Sequence, residues 1–213
     1  MRELIINKLL ALANNLIKTM AHLSHKHFNS YKEGLDLEFL RDYCIEHGET
    51  RLMKRGEVFE KAGEPSQLVA FVERGCFKYM VHNDEERKDY CTGFAFEGEF
   101  VADYPNCLSG KKSEVTIVAG TSCKVFQILG EELERLLDAE KSKNLRQTIS
   151  DSLFSQIYAQ YIDSYRMTTR ERYKRLLFRC PELVQSINLK DLASFLKVTP
   201  TTISNIRREI TFG

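Results

Sequence analysis

The spacing of apolar residues changes twice along the chain, and each change predicts a different kind of element. Residues 2–23 and 35–47 repeat apolar side chains every three or four positions, which is typical of amphipathic helices. In residues 51–128 the apolar runs become short and β-rich, and glycines separate them. Helical spacing returns in residues 131–210. The sequence therefore predicts an all-β middle segment flanked by helices.

The apolar runs of the middle segment are rich in Val, Phe, Tyr and Ile. Apolar and polar positions alternate most clearly in two of them, as in strands with one buried face. Short strands separated by turn residues indicate a sandwich or a barrel. The polar stretch 82–87 predicts a hairpin tip. The predicted strands are Leu68–Val72, Phe77–Val81, Tyr90–Phe96, Val115–Val118 and Val125–Ile128.

A segment without Gly or Pro, from Ser142 to Arg166, predicts one long helix. Its apolar side chains form two adjacent stripes, a face broader than one neighbouring domain can cover. We expect one side to cover the β-domain and the other to pair with a second copy, with Ile149 and Leu153 in the subunit contact. The stripes comprise Leu145, Ile149, Leu153, Ile157 and Tyr161, with Phe154, Tyr158, Ile162 and Tyr165 beside them.

The stretch 187–210 predicts two short helices joined by a tight turn. Asn188 is the expected N-cap of the first helix, where a side-chain oxygen can accept from free amides. Thr199 offers the same cap to the second helix, and Pro200 fits its first position, where no amide hydrogen is needed. The predicted turn between them is Lys197-Val198.

The polar side of the second helix has the chemistry of a DNA-reading surface. Small hydroxyl and amide groups near a helix N-terminus can bond base edges in a major groove. Arginines about a turn further along can bind phosphates. The alternative is an ordinary helical hairpin with a solvated face. The candidate DNA-binding residues are Thr199, Thr201, Thr202, Ser204, Asn205, Arg207, Arg208 and Lys190.

Charge is distributed unevenly, although the net charge of the chain is only +1. From Arg166 onward the sequence has ten Lys and Arg residues and four acidic ones, a net charge of +6. The first 165 residues therefore carry a net charge of −5. A basic end on an acidic body fits a nucleic-acid-binding module joined to another domain. Thr168 and Glu171 form an expected capping box at the start of this module. Because no Pro, Gly or Ser-rich linker precedes it, we expect the two domains to touch.

The remaining composition argues against several other classes of protein. The six cysteines form no C-x-x-C pair and are expected to be reduced thiols in a cytoplasm. His22, His25 and His27 could bind a metal, but a solvated helix end is the simpler interpretation. Polar residues interrupt the first helix, which argues against a signal peptide or a membrane span. Because the sequence lacks the motifs of phosphate-binding loops, zinc proteases and serine hydrolases, we do not expect an enzyme.

The order of parts resembles the cyclic-AMP receptor protein/fumarate-nitrate regulator (CRP/FNR) family of bacterial transcription factors. The opening of that family's β-roll is similar to RLMKRGEVFEKAGEPSQLVAFVERGCFKYM (51–80). Its ligand-pocket segment is similar to GFAFEGEFVADYPNCLSGKKSEVTIVAGTSCKVFQI (93–128). The similarity covers roughly residues 35–210. It does not extend to the iron–sulfur branch, which needs an N-terminal cysteine cluster, whereas the first cysteine here is Cys44.

The resemblance implies an α+β chain of three parts. Residues 1–141 would form the β-roll, a double-stranded jelly roll like a cyclic-nucleotide-binding domain, with N-terminal helices. Residues 142–166 would form a long dimerisation helix, and residues 167–213 a winged-helix-like helix-turn-helix domain. Because the sequence stops at Gly213, we expect the wing to be short or missing. The implied function is a cytoplasmic, homodimeric regulator that binds double-stranded DNA and contacts RNA polymerase, with no membrane partner.

The resemblance also implies an effector site, in which Gly98 and Glu99 open the ligand loop and the glutamate bonds a ribose hydroxyl. In the family a following arginine holds the cyclic phosphate, but here Ser113 stands at that position, or Lys112 after a shift of one residue. Neither residue reproduces a bidentate guanidinium. We therefore expect a nucleotide or other metabolite that is not cyclic AMP; alternatively, the β-roll is an effector-free scaffold for dimerisation and partner contact. The candidate effector-binding residues are Gly98, Glu99, Phe100, Lys112 and Ser113.

Overall fold

The computed structural model describes residues 28–32, 34–139, 144–180 and 187–212. The predicted helix 2–23 and the histidines at positions 22, 25 and 27 lie outside these residues.

The β-roll consists of two antiparallel sheets. Its strands are β1 Glu49–Met53, β2 Val58–Glu60, β3 Leu68–Arg74, β4 Cys76–Asn83, β5 Lys88–Phe96, β6 Phe100–Val101, β7 Thr116–Ala119 and β8 Cys123–Leu129. One sheet has the order β1-β8-β3-β6 and the other β2-β7-β4-β5. One apolar cluster lies between the two sheets. It fully buries Val72 and Val125 of the first sheet and Phe77 and Ile117 of the second. This cluster is the core of the roll, because burial of apolar surface drives the two sheets together.

The predicted β-roll and its five strands are confirmed as β3, β4, β5, β7 and β8. The hairpin tip is also confirmed, since the chain turns at residues 84–87 between β4 and β5. Three further strands, β1, β2 and β6, were not predicted. The last two are only three and two residues long, and β1 is mostly exposed or half-buried, so none of them has a clear alternating pattern.

Helices lie before, within and after the roll. A 3-10 turn, Ser30–Lys32, precedes α1 Glu38–His47, and α2 Asn106–Ser109 lies between β6 and β7. After β8 the described residues form α3 Gly130–Asp138, α4 Leu145–Arg166, α5 Thr169–Arg179, α6 Leu189–Phe195 and α7 Pro200–Phe212. The predicted capping box starts α5: Glu171 N donates to Thr168 Oγ1, and Thr168 N donates to Glu171 Oε2 at 2.8 Å.

The long helix α4 divides its apolar residues between the core and the surface. Ile149 is buried, and Leu145 and Leu153 pack beside it in the cluster that α1, α3 and the β1-β8-β3-β6 sheet form. The structure does not support the expectation that Ile149 and Leu153 make the subunit contact, because Ile149 is buried in the chain's own core and Leu153 is half-buried beside it. The second half of α4 instead leaves large apolar side chains 56–75% exposed. These exposed residues, the α4 stripe, are Phe154, Ile157, Tyr158, Tyr161 and Tyr165.

The helix-turn-helix unit packs directly on the β-roll, as the lack of a linker predicted. Lys78 of β4 forms an ion pair with Asp191 of α6 at 2.8 Å. The amide of Cys91 in β5 donates to Ser194 Oγ at 2.8 Å. These contacts join the first helix of the unit to the β4–β5 hairpin.

Two further expectations concern the cysteines and the membrane. All six cysteines are free thiols, and five of them are buried. None of the described helices is long and apolar enough to cross a membrane. Within the described ranges, no cluster of His, Cys, Asp and Glu is arranged to hold a metal ion.

Candidate effector site and DNA-reading surface

A tight turn places Glu99 deep inside the roll, where its side chain is 1% exposed. Gly98 supplies a φ of +78°, which side chains rarely adopt, so glycine suits this turn. The Glu99 carboxylate accepts hydrogen bonds from Phe96 N at 2.9 Å and from Asn29 Nδ2 at 2.7 Å. The carboxylate that the family resemblance assigns to a ligand is thus bound here by the chain's own groups.

Burial raises the pKa of Glu99 to about 7. The loss of hydration on burial disfavours the charged carboxylate and is the largest effect. A backbone amide, Asn29 and the Lys32 ammonium favour the charged form, but their combined effect is smaller. The other titratable groups that interact with it are Tyr31, Tyr79 and Cys180. Glu99 therefore changes its charge near neutral pH.

This pKa predicts how stability depends on pH. The folded chain holds the Glu99 proton more tightly than the unfolded chain, whose carboxyl has the ordinary pKa of 4.5. The Glu99 contribution to the free energy of unfolding is therefore full below about pH 4.5 and is lost as pH rises through about 7. One pKa unit corresponds to ~1.4 kcal/mol, so the expected loss is about 3 kcal/mol.

Urea denaturation between these pH values measures the effect. Glu99→Gln should remove this part of the pH dependence, because glutamine does not titrate. Glu97→Gln, which changes an exposed neighbour, is the matched control and should retain it. If the free energy of unfolding of Glu99→Gln changed with pH as steeply as that of the wild type, a group other than Glu99 would cause the pH dependence.

The expected phosphate position has acidic surroundings. Ser113 is buried, and its hydroxyl donates to Asp103 Oδ2 at 2.9 Å. Asp103 Oδ2 also accepts from Glu114 N at 2.8 Å and from Asn106 Nδ2 at 3.1 Å. Glu60 lies close by, and its burial raises its pKa. Two carboxyl groups at this end of the roll disfavour a bound phosphate.

The structure places the five expected effector residues in three different surroundings. Gly98 and Glu99 lie at the buried turn, and Ser113 lies beside Asp103. Lys112 is exposed, so it does not supply the missing positive charge to a buried site. Phe100 packs against Phe71, with ring centroids 5.5 Å apart, in the apolar cluster under α4. This geometry does not support Phe100, Lys112 and Ser113 as ligands of one effector.

Two residues at this site were not predicted from the sequence. Asn29 bonds Glu99 across 70 positions, and Gln156 of α4 donates to Asn29 Oδ1 at 3.1 Å across 127 positions. No local pattern indicates contacts over such separations. A polar groove of about 380 Å³ lies between the 3-10 turn and α4, and Glu99 does not line it. The lining residues are Ser30, Tyr31, Thr148, Asp151, Ser152, Ser155 and Gln156.

The predicted helix-turn-helix is present with its predicted caps. Asn188 Oδ1 accepts from Asp191 N at 2.9 Å, and Thr199 Oγ1 accepts from Thr202 N at 3.2 Å. Pro200 is the first residue of α7. The turn bends at Lys197, which has a φ of +59°. Each of these features depends on residues close in sequence, which explains why the pattern predicts them.

The polar face of α7 is largely exposed, because Ile203 and Ile206 bury the opposite side. Asn205 Oδ1 accepts from Arg208 at 3.3 Å. Arg207 departs from the expectation: it is half-buried, and its Nε donates to the Tyr173 hydroxyl at 3.0 Å. It therefore braces α7 against α5. The candidates with exposed side chains are Lys190, Thr199, Thr201, Ser204, Asn205 and Arg208, while Thr202 is half-buried.

Comparison with known proteins places this architecture. Residues 50–140 match the family model of the cyclic nucleotide-binding domain. The chain also shares the fold of FixK2 from Bradyrhizobium japonicum, with a TM-score of 0.66, 14% identity and coverage of 77% of this chain and 84% of that one. The β-roll therefore has the fold of a cyclic nucleotide-binding domain, and the chain shares the CRP/FNR fold with this solved structure.

Two more solved structures share this fold over most of their length. The c-di-GMP responsive global regulator CLP of Xanthomonas campestris is 15% identical, with a TM-score of 0.59 and coverage of 83% of this chain and 92% of that one. A transcriptional regulator assigned to the CRP/FNR family from Eubacterium rectale is 14% identical, with a TM-score of 0.60 and coverage of 86% and 87%. No curated protein sequence matches the chain.

Proposed function

We propose that this chain is a homodimeric, DNA-binding transcription regulator of the CRP/FNR type. The observation that carries the proposal is α7, which is capped by Thr199, anchored by Ile203 and Ile206, and presents a polar face to solvent. Thr201 and Asn205 near its start suit base edges, and Arg208 suits a phosphate. Selection of duplexes from a random pool tests this function, because only a sequence-reading protein enriches a defined site.

The α4 stripe supports the homodimer. Its members recur at intervals of three and four residues, so they form one apolar line along the helix. A helix with such a line at its surface suits pairing with an identical line about a two-fold axis. Large exposed apolar patches on a soluble chain mark interaction sites. The occupant we propose is a second copy of the chain.

We further propose that the regulator does not respond to cyclic nucleotides. Asn29 already donates to the Glu99 carboxylate, where a ribose hydroxyl would have to bind. Asp103 lies beside Ser113, where the cyclic phosphate would have to bind. A ligand with a negative charge would lose its hydration beside Ser113 and would be repelled by the Asp103 carboxylate.

Calorimetric titration with cyclic AMP and cyclic GMP tests this second proposal. We expect no binding heat at micromolar protein and ligand concentrations that approach millimolar. Micromolar affinity that is lost in Glu99→Ala would contradict it. Arg208→Ala, which changes an exposed residue of α7, serves as the matched control for non-specific effects of mutation.

A second candidate function is regulation without any small-molecule effector, with the β-roll as a scaffold for dimerisation and partner contact. The observation that favours it is the same occupied carboxylate, because the chain itself fills the place next to Glu99. In either form we propose a non-catalytic protein of the bacterial cytoplasm that acts on double-stranded DNA together with RNA polymerase.

A further inference from the structure

Residues 28–32, called the strap below, make contacts with three parts of the molecule. Asn29 lies at the centre and is 6% exposed. Its Nδ2 donates to Glu99 Oε2 at 2.7 Å and to the carbonyl of Phe94 at 2.8 Å, and its Oδ1 accepts from Gln156 at 3.1 Å. Every polar group of this side chain is therefore in use.

The strap is also fastened to α4 and to the Gly98 turn. Gln156 Oε1 accepts from Tyr31 N at 3.0 Å, so one amide side chain holds the strap through both of its ends. Lys32 donates to the carbonyl of Gly98. The strap thus links the turn that carries Glu99 to the helix that we propose as the dimer contact.

Phe28 extends these contacts to the helix-turn-helix unit. Its ring is 3% exposed and lies among three other rings, those of Phe94, Phe96 and Phe195. The centroid distances are 5.6, 5.1 and 5.5 Å respectively. Phe195 ends α6, so the Phe28 ring forms part of the surface on which the DNA-binding unit is seated.

We propose that the strap is an internal ligand of the β-roll, which occupies the Glu99 site and thereby holds the helix-turn-helix unit on β5. A diffusible molecule that displaced it would have to supply the same groups. These are two N–H or O–H donors that converge on a carboxylate and a carbonyl, an acceptor for Gln156, and an aromatic ring for the Phe28 position. An uncharged aromatic amide has this chemistry, whereas an anion does not.

Asn29→Asp tests the strap with almost no change in side-chain size. The substitution replaces the Nδ2 donor by a carboxylate oxygen, so the bonds to the Phe94 carbonyl and to Glu99 are lost. At pH 8, above the pKa of Glu99, two charged carboxylates also repel each other, and the strap should detach. The matched control is Asn106→Asp, since Asn106 also donates to a carboxylate, that of Asp103, in the same roll but away from α6. Each variant therefore exchanges one asparagine–carboxylate bond for one pair of carboxylates.

Amide hydrogen exchange in the full-length chain gives the result. The Cys91 amide, which donates to Ser194 Oγ, reports whether the helix-turn-helix unit is seated. We expect Asn29→Asp to raise exchange at Cys91 and in α6 at least tenfold while β3 and β8 keep their protection. Asn106→Asp should leave Cys91 and α6 as in the wild type. Equal protection of Cys91 in Asn29→Asp and the wild type would overturn the proposal.

A milder variant covers the case in which Asn29→Asp does not fold. Asn29→Ala removes the donors without adding charge, and it should raise exchange at the same amides by a smaller factor. General loss of protection throughout β3 and β8 in Asn29→Ala would show that the strap only stabilises the fold, and would also overturn the proposal. The inference rests on the proposed function only in treating the seated unit as a DNA-binding unit. A wild-type chain that fails to bind DNA would refute the proposed function, whereas the exchange measurement tests independently whether the strap holds the helix-turn-helix unit on β5.

Discussion

Replacement of Ile157 and Tyr161 by glutamate is expected to convert the protein from a dimer into a monomer. Both side chains lie in the exposed α4 stripe, one helical turn apart. In a two-fold interface each substitution occurs twice, so four carboxylates would be buried without partners near the axis. Sedimentation velocity should show the mass of one chain instead of two.

The same variant should lose most of its affinity for an operator. Two linked half-site contacts bind more tightly than one by a factor of about 10²–10⁴, and a monomer forfeits that gain. Gln160→Glu is the matched control, because it adds charge at an exposed position of α4 outside the stripe. A double variant that still sedimented as a dimer would rule out the α4 contact.

Asn205→Ala and Arg208→Ala are expected to fail in different ways. If Asn205 makes a bidentate bond to a base, its loss should cost roughly 1–3 kcal/mol of discrimination between operator and random duplex. Arg208 lies further along the exposed face, so its loss should weaken both duplexes alike and reduce the salt dependence by about one unit of slope per contact. Binding to both duplexes at several salt concentrations separates the two effects.

Two structural details guide the controls for this experiment. Arg207 is bonded to Tyr173, so Arg207→Ala would disturb the packing of α7 on α5 and is unsuitable as a phosphate probe. Lys174→Ala removes one exposed positive charge from α5 and controls for net charge. If Asn205→Ala left the specificity ratio unchanged while Arg208→Ala abolished it, the proposed division of roles would be wrong.

Features that depend on neighbouring residues could be predicted from the sequence. The capping box at Thr168 and the caps at Asn188 and Thr199 each involve a partner three residues away. The strands β4 and β5 were likewise predicted from the local spacing of their apolar residues, although burial along them does not strictly alternate. Local propensity and side-chain period carry this information directly.

The contacts of the candidate effector site could not be predicted, because they join distant residues. Asn29 and Glu99 are 70 positions apart, and Lys78 and Asp191 are 113 positions apart. Asn29 precedes a serine, and Asp191 lies near the start of a helix. Each therefore has an ordinary local explanation, the first as a turn residue and the second as a capping residue. Only the fold shows that Asn29 bonds the buried Glu99 carboxylate and that Asp191 joins the helix-turn-helix unit to the roll.

The α4 helix shows a second limit of periodicity. The pattern indicates an apolar face that is too broad for one partner. Because the apolar spacing is the same in every turn, it does not show which half of the helix faces the chain's own core. Which half is covered depends on where the roll and α3 end in space. The structure places Ile149 against them and leaves Tyr161 in solvent, the opposite of the expected subunit contact.

Selection of DNA from a random duplex pool by the wild-type chain tests the central claim most directly. A dimer with one α7 helix per subunit should enrich a two-fold symmetric sequence. Its half-sites should lie in successive major grooves, about 34 Å or roughly 10 base pairs apart from centre to centre. A pool that remained random after repeated selection at physiological salt would contradict the claim that this protein reads DNA.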